Sequence, residues 1–183
     1  EDSSALINMY LRGDFGKDPS AVNPFAASSF YAMDRYCSYM LDWKKDYDEG
    51  AVIIANRYTT ANLVHQMSKL PAEEWDAFGK WLYDYEFSLL GLPAPTEVIY
   101  LCLPPSASAA LVQKRCDSTG AVKDIHENNA KHLEDSYKAA LYASDKYAWH
   151  RIDCVRDGVL RNIEDIHAQV CDTLSGIITD GHV

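Results

Sequence analysis

Apolar and polar positions alternate with two different periods along the chain, and together they predict a mixed α/β protein. Continuous apolar runs at residues 51–55 and 98–103 are bounded by turn residues and predict buried parallel strands. A half-apolar run at residues 149–155 predicts a third strand at a sheet edge. Apolar residues three and four positions apart predict the intervening helices. These helices span residues 3–12, 24–49, 60–69, 71–90, 106–116 and 124–144, and a closing helix contains Ile163 and Leu174.

Strands that alternate with helices predict a three-layer α/β fold, in which a parallel sheet is flanked by helices. Three strands make a thin sheet for 183 residues. No internal repeat, low-complexity segment or second domain is visible, so residues 1–183 are expected to form a single domain. The end of the chain after Thr179 is expected to fray.

Charge and cysteine content narrow the functional class. The formal net charge is −10, from 17 basic and 27 acidic side chains, which argues against non-specific binding to nucleic acid. Five scattered cysteines without a CxxC pair favour a reducing, cytoplasmic setting over a disulfide framework. No apolar run approaches the roughly 18 residues that a membrane span needs.

The segment after the first predicted strand carries the main candidate site. Ligands of parallel α/β sheets bind beyond the carboxyl ends of the strands, which is where Asn56 and Arg57 follow the run 51–55. Asn62, His65 and Gln66 come next, at offsets of three and four that place them on one helical face. This arrangement predicts a polar pocket, and Arg57 predicts that the pocket binds an anion.

Tyr31 and Arg35 share a second helical face because they are four residues apart. An aromatic ring beside a guanidinium can hold a flat ligand, with the ring stacked on it and the arginine bonded to its edge. Spacing alone favours the simpler interpretation, a surface tyrosine packed on the arginine stem.

Other polar residues have structural interpretations. Asp124 and Glu127 have the spacing of a capping box, although a catalytic pair of carboxylates is also possible. His126 and His132 have no metal-ligand partners at useful spacing, so we expect exposed helix residues and no metal site.

Six segments in order resemble bacterial thymidylate kinase (dTMP kinase), a family of the P-loop NTPase superfamily. The matching segments run nearly from end to end of the chain and are residues 4–16 (SALINMYLRGDFG), 22–35 (VNPFAASSFYAMDR), 56–66 (NRYTTANLVHQ), 86–95 (EFSLLGLPAP), 101–105 (LCLPP) and 123–127 (KDIHE). The resemblance implies a nucleoside monophosphate kinase that transfers the γ-phosphoryl group of ATP to dTMP with Mg²⁺, giving dTDP. It also implies a homodimer.

The resemblance assigns roles on the acceptor side. Tyr31 takes the position of the aromatic that stacks on thymine, and Arg35 that of the arginine that bonds the base edge. Arg57 matches the arginine that holds the acceptor phosphate. Asn62 and Gln66 match positions that contact the base and the sugar. His65 matches a position that lies close to the sugar and helps to exclude ribonucleotides.

On the donor side, residues 114–127 resemble the lid over ATP, with Arg115 and Lys123 as the candidate phosphate ligands. Lys114 and Arg115 also lie near a predicted helix C-terminus, where cations are favoured without any ligand.

Two departures from the family pattern affect these expectations. The phosphate loop G-x-x-x-x-G-K-[ST] is absent from the 183 residues, together with the N-terminal strand–helix–strand unit that would carry it. The printed chain is therefore expected to be an inactive piece of a longer kinase. The alternatives are a non-catalytic dTMP-binding relative and a kinase of another nucleoside monophosphate. The second departure is Asn56, which stands where the family usually has aspartate.

Overall fold

A computed structural model describes residues 2–179, and the chain is mixed α/β and mostly helical, as expected. The predicted fraying after Thr179 lies outside the described residues. The helices are α1 (Ala5–Arg12), α2 (Pro24–Ser38), α3 (Lys44–Asp48), α4 (Thr59–Met67), α5 (Trp75–Tyr83), α6 (Pro105–Thr119), α7 (Ala130–Lys146) and α8 (Ile163–Thr179). The strands are β1 (Ile99–Cys102), β2 (His150–Asp153), β3 (Val155–Arg156) and β4 (Val159–Leu160).

The long helix predicted over residues 24–49 forms as α2 and α3 joined by a π-helical turn, Tyr39–Trp43. Its start is fixed by Asn23, whose side-chain oxygen accepts a hydrogen bond from the Ala26 amide at 2.9 Å, and by Pro24 at the first helical position. A second π-helical segment, Asp84–Leu89, extends α5 through most of the predicted helix 71–90.

Contacts divide the chain into two compact units. The first comprises Glu1–Ala94 and Asp124–Ala139, and the second comprises Pro95–Lys123 and Ala140–Val183. In the first unit, buried Tyr10, Ala27 and Ile125 form a core cluster. Gly13 supports this packing, because its φ of +77° ends α1 and its bare Cα leaves room for Ile125.

The second unit contains the described sheet pairing. Strand β1 pairs in parallel with β2, from Ile99 opposite His150 to Cys102 opposite Asp153. This confirms the second and third predicted strands and their parallel direction. Strands β3 and β4 form an antiparallel hairpin around Asp157 and Gly158, both with positive φ. None of the helices within residues 2–179 is long and apolar enough to cross a membrane.

The first predicted strand is wrong. Residues 51–55 adopt no strand in the described chain, and Val52, Ile53 and Ile54 are 59%, 37% and 80% exposed. A strand forms only when a neighbour pairs with its amides, and no described strand pairs with this run.

Two helix boundaries also differ from the predictions. Helix α6 continues to Thr119 and does not end at residue 116 as predicted, and Gly120 in a left-handed conformation ends it. Helix α7 starts at Ala130, not at Asp124.

The capping-box bonds nevertheless form in the preceding turn. The Glu127 amide donates to Asp124 Oδ1 at 2.8 Å, and the Asp124 amide donates to Glu127 Oε2 at 3.4 Å.

Candidate functional site

A fully buried carboxylate, Glu86, organises the polar interior of the first unit. Arg35 donates to it from Nε at 2.7 Å and from Nη2 at 2.5 Å. Thr59 Oγ1 donates at 2.7 Å and Asn62 Nδ2 at 3.2 Å. Four hydrogen bonds and an opposite charge compensate for the desolvation of the carboxylate, and they hold Arg35 in one orientation.

Glu86 is not among the site residues that the sequence predicts. It lies four positions after Leu82, which is also fully buried, so a charge falls on the apolar face of the helical segment. A charged residue on such a face is the available signal, because buried carboxylates need a partner.

Helix α4 brings a set of polar atoms into the same interior. Gln66 is completely buried, and neither its Oε1 nor its Nε2 has a hydrogen-bond partner among the described residues. The same holds for Asn62 Oδ1 and Ser28 Oγ. Buried polar atoms of this kind require ordered water or a bound ligand, because leaving them unpaired costs about 1–3 kcal/mol each.

Tyr31 lies half-buried beside these groups and packs edge-on against Tyr10, with ring centroids 6.5 Å apart. Burial raises the pKa of the Tyr31 hydroxyl to about 12, and the positive charge of Arg57 opposes part of that shift. The side chain is therefore a neutral aromatic at physiological pH.

Asn56 and Arg57 lie in the exposed segment between α3 and α4. Arg57 has a φ of +68°, a left-handed conformation that is unfavourable for a residue with a side chain. Its guanidinium is close enough to depress the pKa of His65 and His126. Arg57 thus supplies positive charge to this region, although no strand of the described chain directly precedes it.

The prediction that His126 and His132 are exposed helix residues is wrong. They are 8% and 7% exposed, and they lie with His65 in a cluster of three imidazoles. The ring centroids of His126 and His132 are 4.6 Å apart, and His65 stacks on both. Burial is the main cause that lowers the pKa of His126 to about 3 and of His132 to about 4, so the rings are neutral.

Tyr10 connects this cluster to Lys69. The Tyr10 hydroxyl donates to the Pro19 carbonyl at 3.1 Å and accepts from Lys69 Nζ at 2.8 Å. It also contacts His126 Nε2 at 2.9 Å. Burial lowers the pKa of Lys69 to about 8, and the nearby carboxylate of Asp18 opposes that shift.

The candidate lid residues belong to the second unit. Arg115 lies on the exposed surface of α6, and Lys123 donates from Nζ to Gln113 Oε1 at 2.9 Å. The other predicted site residues all belong to the first unit.

A groove of about 340 Å³ opens elsewhere on the first unit and is lined in part by Lys69, Lys131, Asp135 and Lys138. It shares no residue with the predicted nucleotide site. Its mixed charges and open shape do not match an aromatic base pocket.

Comparisons with known proteins assign the chain to no family. No family model matches the chain, and a search of curated proteins returns no match. The likeness to thymidylate kinases therefore rests on the six segments of sequence quoted above.

Proposed function

We propose that the chain binds dTMP as the acceptor part of a nucleoside monophosphate kinase, in which dTMP receives the γ-phosphoryl group of ATP. The observation that carries this proposal is the buried, unpartnered amide of Gln66, one turn from the unpartnered Oδ1 of Asn62. The edge of thymine offers one N–H donor between two carbonyl acceptors. The Gln66 amide supplies one acceptor and one donor, which can pair with the N–H and with one carbonyl of that edge, and the other carbonyl needs a donor such as the Arg35 guanidinium.

Arg35 and Tyr31 support a planar base as the ligand. A guanidinium has five N–H donors in one plane, and two bonds to Glu86 hold that plane while leaving donors for a base edge. Tyr31 presents a neutral ring four residues away, as stacking requires. Glu86 acts as a positioning residue, because it orients Arg35 and Asn62 without itself being offered to a ligand.

Arg57 is the proposed ligand of the acceptor phosphate, and Asn56 and His65 complete the polar surroundings of phosphate and sugar. Phosphoryl transfer depends on positioning and on positive charge around the transferred group. A cation in a strained backbone position is typical of a residue whose place is fixed by function.

The donor side does not fit ATP and Mg²⁺ on the residues present. The 183 residues contain no loop of the form G-x-x-x-x-G-K-[ST], whose amides, lysine and hydroxyl would hold the phosphates and the metal. Arg115 and Lys123 are therefore proposed only as lid contacts. A complete kinase of this type would be a cytoplasmic homodimer with a three-layer parallel sheet.

Asn56, which stands where the family usually has aspartate, favours one alternative function, a dTMP-binding relative without kinase activity. Both candidates require the same acceptor pocket and differ in whether dTDP is formed. An assay for dTDP with ATP and Mg²⁺ separates them, provided that dTMP binding has been established first.

Isothermal titration calorimetry with dTMP, dUMP and UMP tests the pocket. We expect dTMP to bind more tightly than dUMP, because only thymine has a 5-methyl group to bury in the pocket, and UMP to bind least. Tyr31→Leu should weaken dTMP binding about tenfold or more, because stacking on an aromatic contributes about 1–3 kcal/mol. Tyr36→Leu, at a tyrosine that is 37% exposed on the same helix, is the matched control. Equal affinities for dTMP and UMP would refute the thymine assignment.

A further inference from the structure

We infer that His65, His126 and His132 form a binding site for a divalent transition-metal ion of the zinc class, distinct from any Mg²⁺ that accompanies ATP. One ring nitrogen of each histidine lies within 4.8 Å of the other two. The three residues come from α4, from the turn before α7 and from α7 itself, all within the first unit.

The hydrogen bonds of Tyr10 assign the tautomer of His126. The single hydroxyl proton of Tyr10 goes to the Pro19 carbonyl, which can only accept. The Lys69 ammonium can only donate. The hydroxyl oxygen therefore accepts from His126 Nε2–H, which leaves the lone pair on His126 Nδ1.

The hydrogen bonds of Ser136 assign the tautomers of His65 and His132 in the same way. Its hydroxyl donates to Ser68 Oγ at 3.2 Å, and Ser68 in turn donates to the His65 carbonyl at 2.9 Å. Ser136 Oγ is left to accept, through long contacts, from His65 Nδ1 at 3.5 Å and from His132 Nε2 at 3.4 Å. The lone pairs then lie on His65 Nε2 and His132 Nδ1.

Each imidazole thus donates one N–H to a hydroxyl and keeps one lone pair. This is the arrangement of metal-ligating histidines, in which an outer partner fixes the tautomer and the other nitrogen binds the ion.

The ligand type selects the ion. Three imidazole nitrogens suit Zn²⁺, Cu²⁺, Ni²⁺ or Co²⁺, whereas Mg²⁺ and Ca²⁺ require oxygen ligands. Zinc–nitrogen bonds of about 2.0–2.1 Å place the three nitrogens about 3.3 Å apart, so the stacked rings must rotate to close the site. Three protein ligands leave a fourth position for water or another ligand.

The charges around the cluster set its affinity. The positive charges of Arg57 and Lys69 act on the cluster and oppose a cation, whereas the carboxylates of Asp18 and Asp135 favour one. The positive charges predict a weaker site than three histidines would form in a neutral setting.

Zinc titration of the full chain by calorimetry tests the inference, in the absence of nucleotide. Cys171→Ser is the background, because Cys171 Sγ lies 3.5 Å from His167 Nε2 and would offer a competing site on the surface. We expect one Zn²⁺ per chain, with affinity at least about tenfold weaker in His132→Gln and in His65→Gln. His167→Gln is the control and should bind Zn²⁺ as the background does.

Co²⁺ added to the Cys171→Ser background gives a second readout that does not depend on the folding of a histidine variant. Tetrahedral coordination by nitrogen gives visible d–d bands without the near-ultraviolet charge-transfer band of thiolate ligands. The inference is overturned if micromolar Zn²⁺ does not bind, if His132→Gln and His65→Gln bind it unchanged, or if the Co²⁺ spectrum shows thiolate ligation.

Discussion

Arg35 and Glu86 form an ion pair in the interior of the first unit, with Nε and Nη2 of the guanidinium 2.7 and 2.5 Å from the two carboxylate oxygens. The Glu86 side chain is fully buried and that of Arg35 is 15% exposed. Neutralising one partner of such a pair leaves the other charge desolvated. We therefore expect Glu86→Gln to lower the free energy of unfolding by about 3 kcal/mol, measured by urea denaturation. Glu134→Gln, at an exposed glutamate of the same unit, should change it by less than about 0.5 kcal/mol. Equal stability of both variants would contradict a compensated ion pair.

The buried amide of Gln66 is expected to lower the stability of the free protein and to strengthen dTMP binding. Its amide is buried without partners, so Gln66→Leu should raise the free energy of unfolding by about 1–2 kcal/mol, because an unsatisfied polar group is removed. The same variant should bind dTMP about tenfold more weakly, as seen by calorimetry. Gln113→Leu, at an exposed glutamine, is the control for the change of side chain. A Gln66→Leu variant that loses stability would indicate that ordered water satisfies the amide in the free protein.

Local patterns in the sequence predict most of the helices and the strands β1 and β2, because periodicity and capping act over a few residues. They fail where a partner distant in sequence decides the outcome. Residues 51–55 have the composition of a strand, but no described strand pairs with them. His65 and His132 are 67 positions apart in the chain, and their contact follows from the packing of α4 against α7. The orientation of Arg35 depends on Glu86 in the same way.

The exposed run 51–55 gives a direct test of the strand prediction. Ile54 is 80% exposed, so Ile54→Lys should change the free energy of unfolding by less than about 0.5 kcal/mol. Ile152→Lys is the matched contrast, because Ile152 is 1% exposed in β2, and burying a lysine there should cost several kcal/mol. If Ile54→Lys is as damaging as Ile152→Lys, the run is buried in solution, as the sequence pattern suggested.

Tyr58 should contribute to a loss of stability at high pH. Burial raises the pKa of its hydroxyl to about 12, and the hydroxyl donates to the Pro93 carbonyl at 2.9 Å. The unfolded chain ionises this group near pH 10, so its contribution is complete below pH 10 and declines as the pH rises toward 12. Urea denaturation between pH 8 and 11 should therefore show a shallower alkaline decline for Tyr58→Phe than for the parent. Tyr36→Phe, at a more exposed tyrosine, should follow the parent, and an identical decline in all three proteins would rule out this contribution.

Two substitutions at Arg57 can separate the energetic cost of its left-handed backbone from the role of its side chain in binding. Glycine adopts a φ of +68° without strain, whereas alanine has the same Cβ clash as arginine. Arg57→Gly should therefore be more stable than Arg57→Ala by about 1 kcal/mol in urea denaturation. Both variants remove the guanidinium, so both should lose dTMP affinity about tenfold or more, in line with a lost charge-assisted hydrogen bond. Thymidine, which has no phosphate, should bind all three proteins equally. A variant that loses affinity for thymidine as well as for dTMP would place Arg57 at the nucleoside, and the phosphate role would then be wrong.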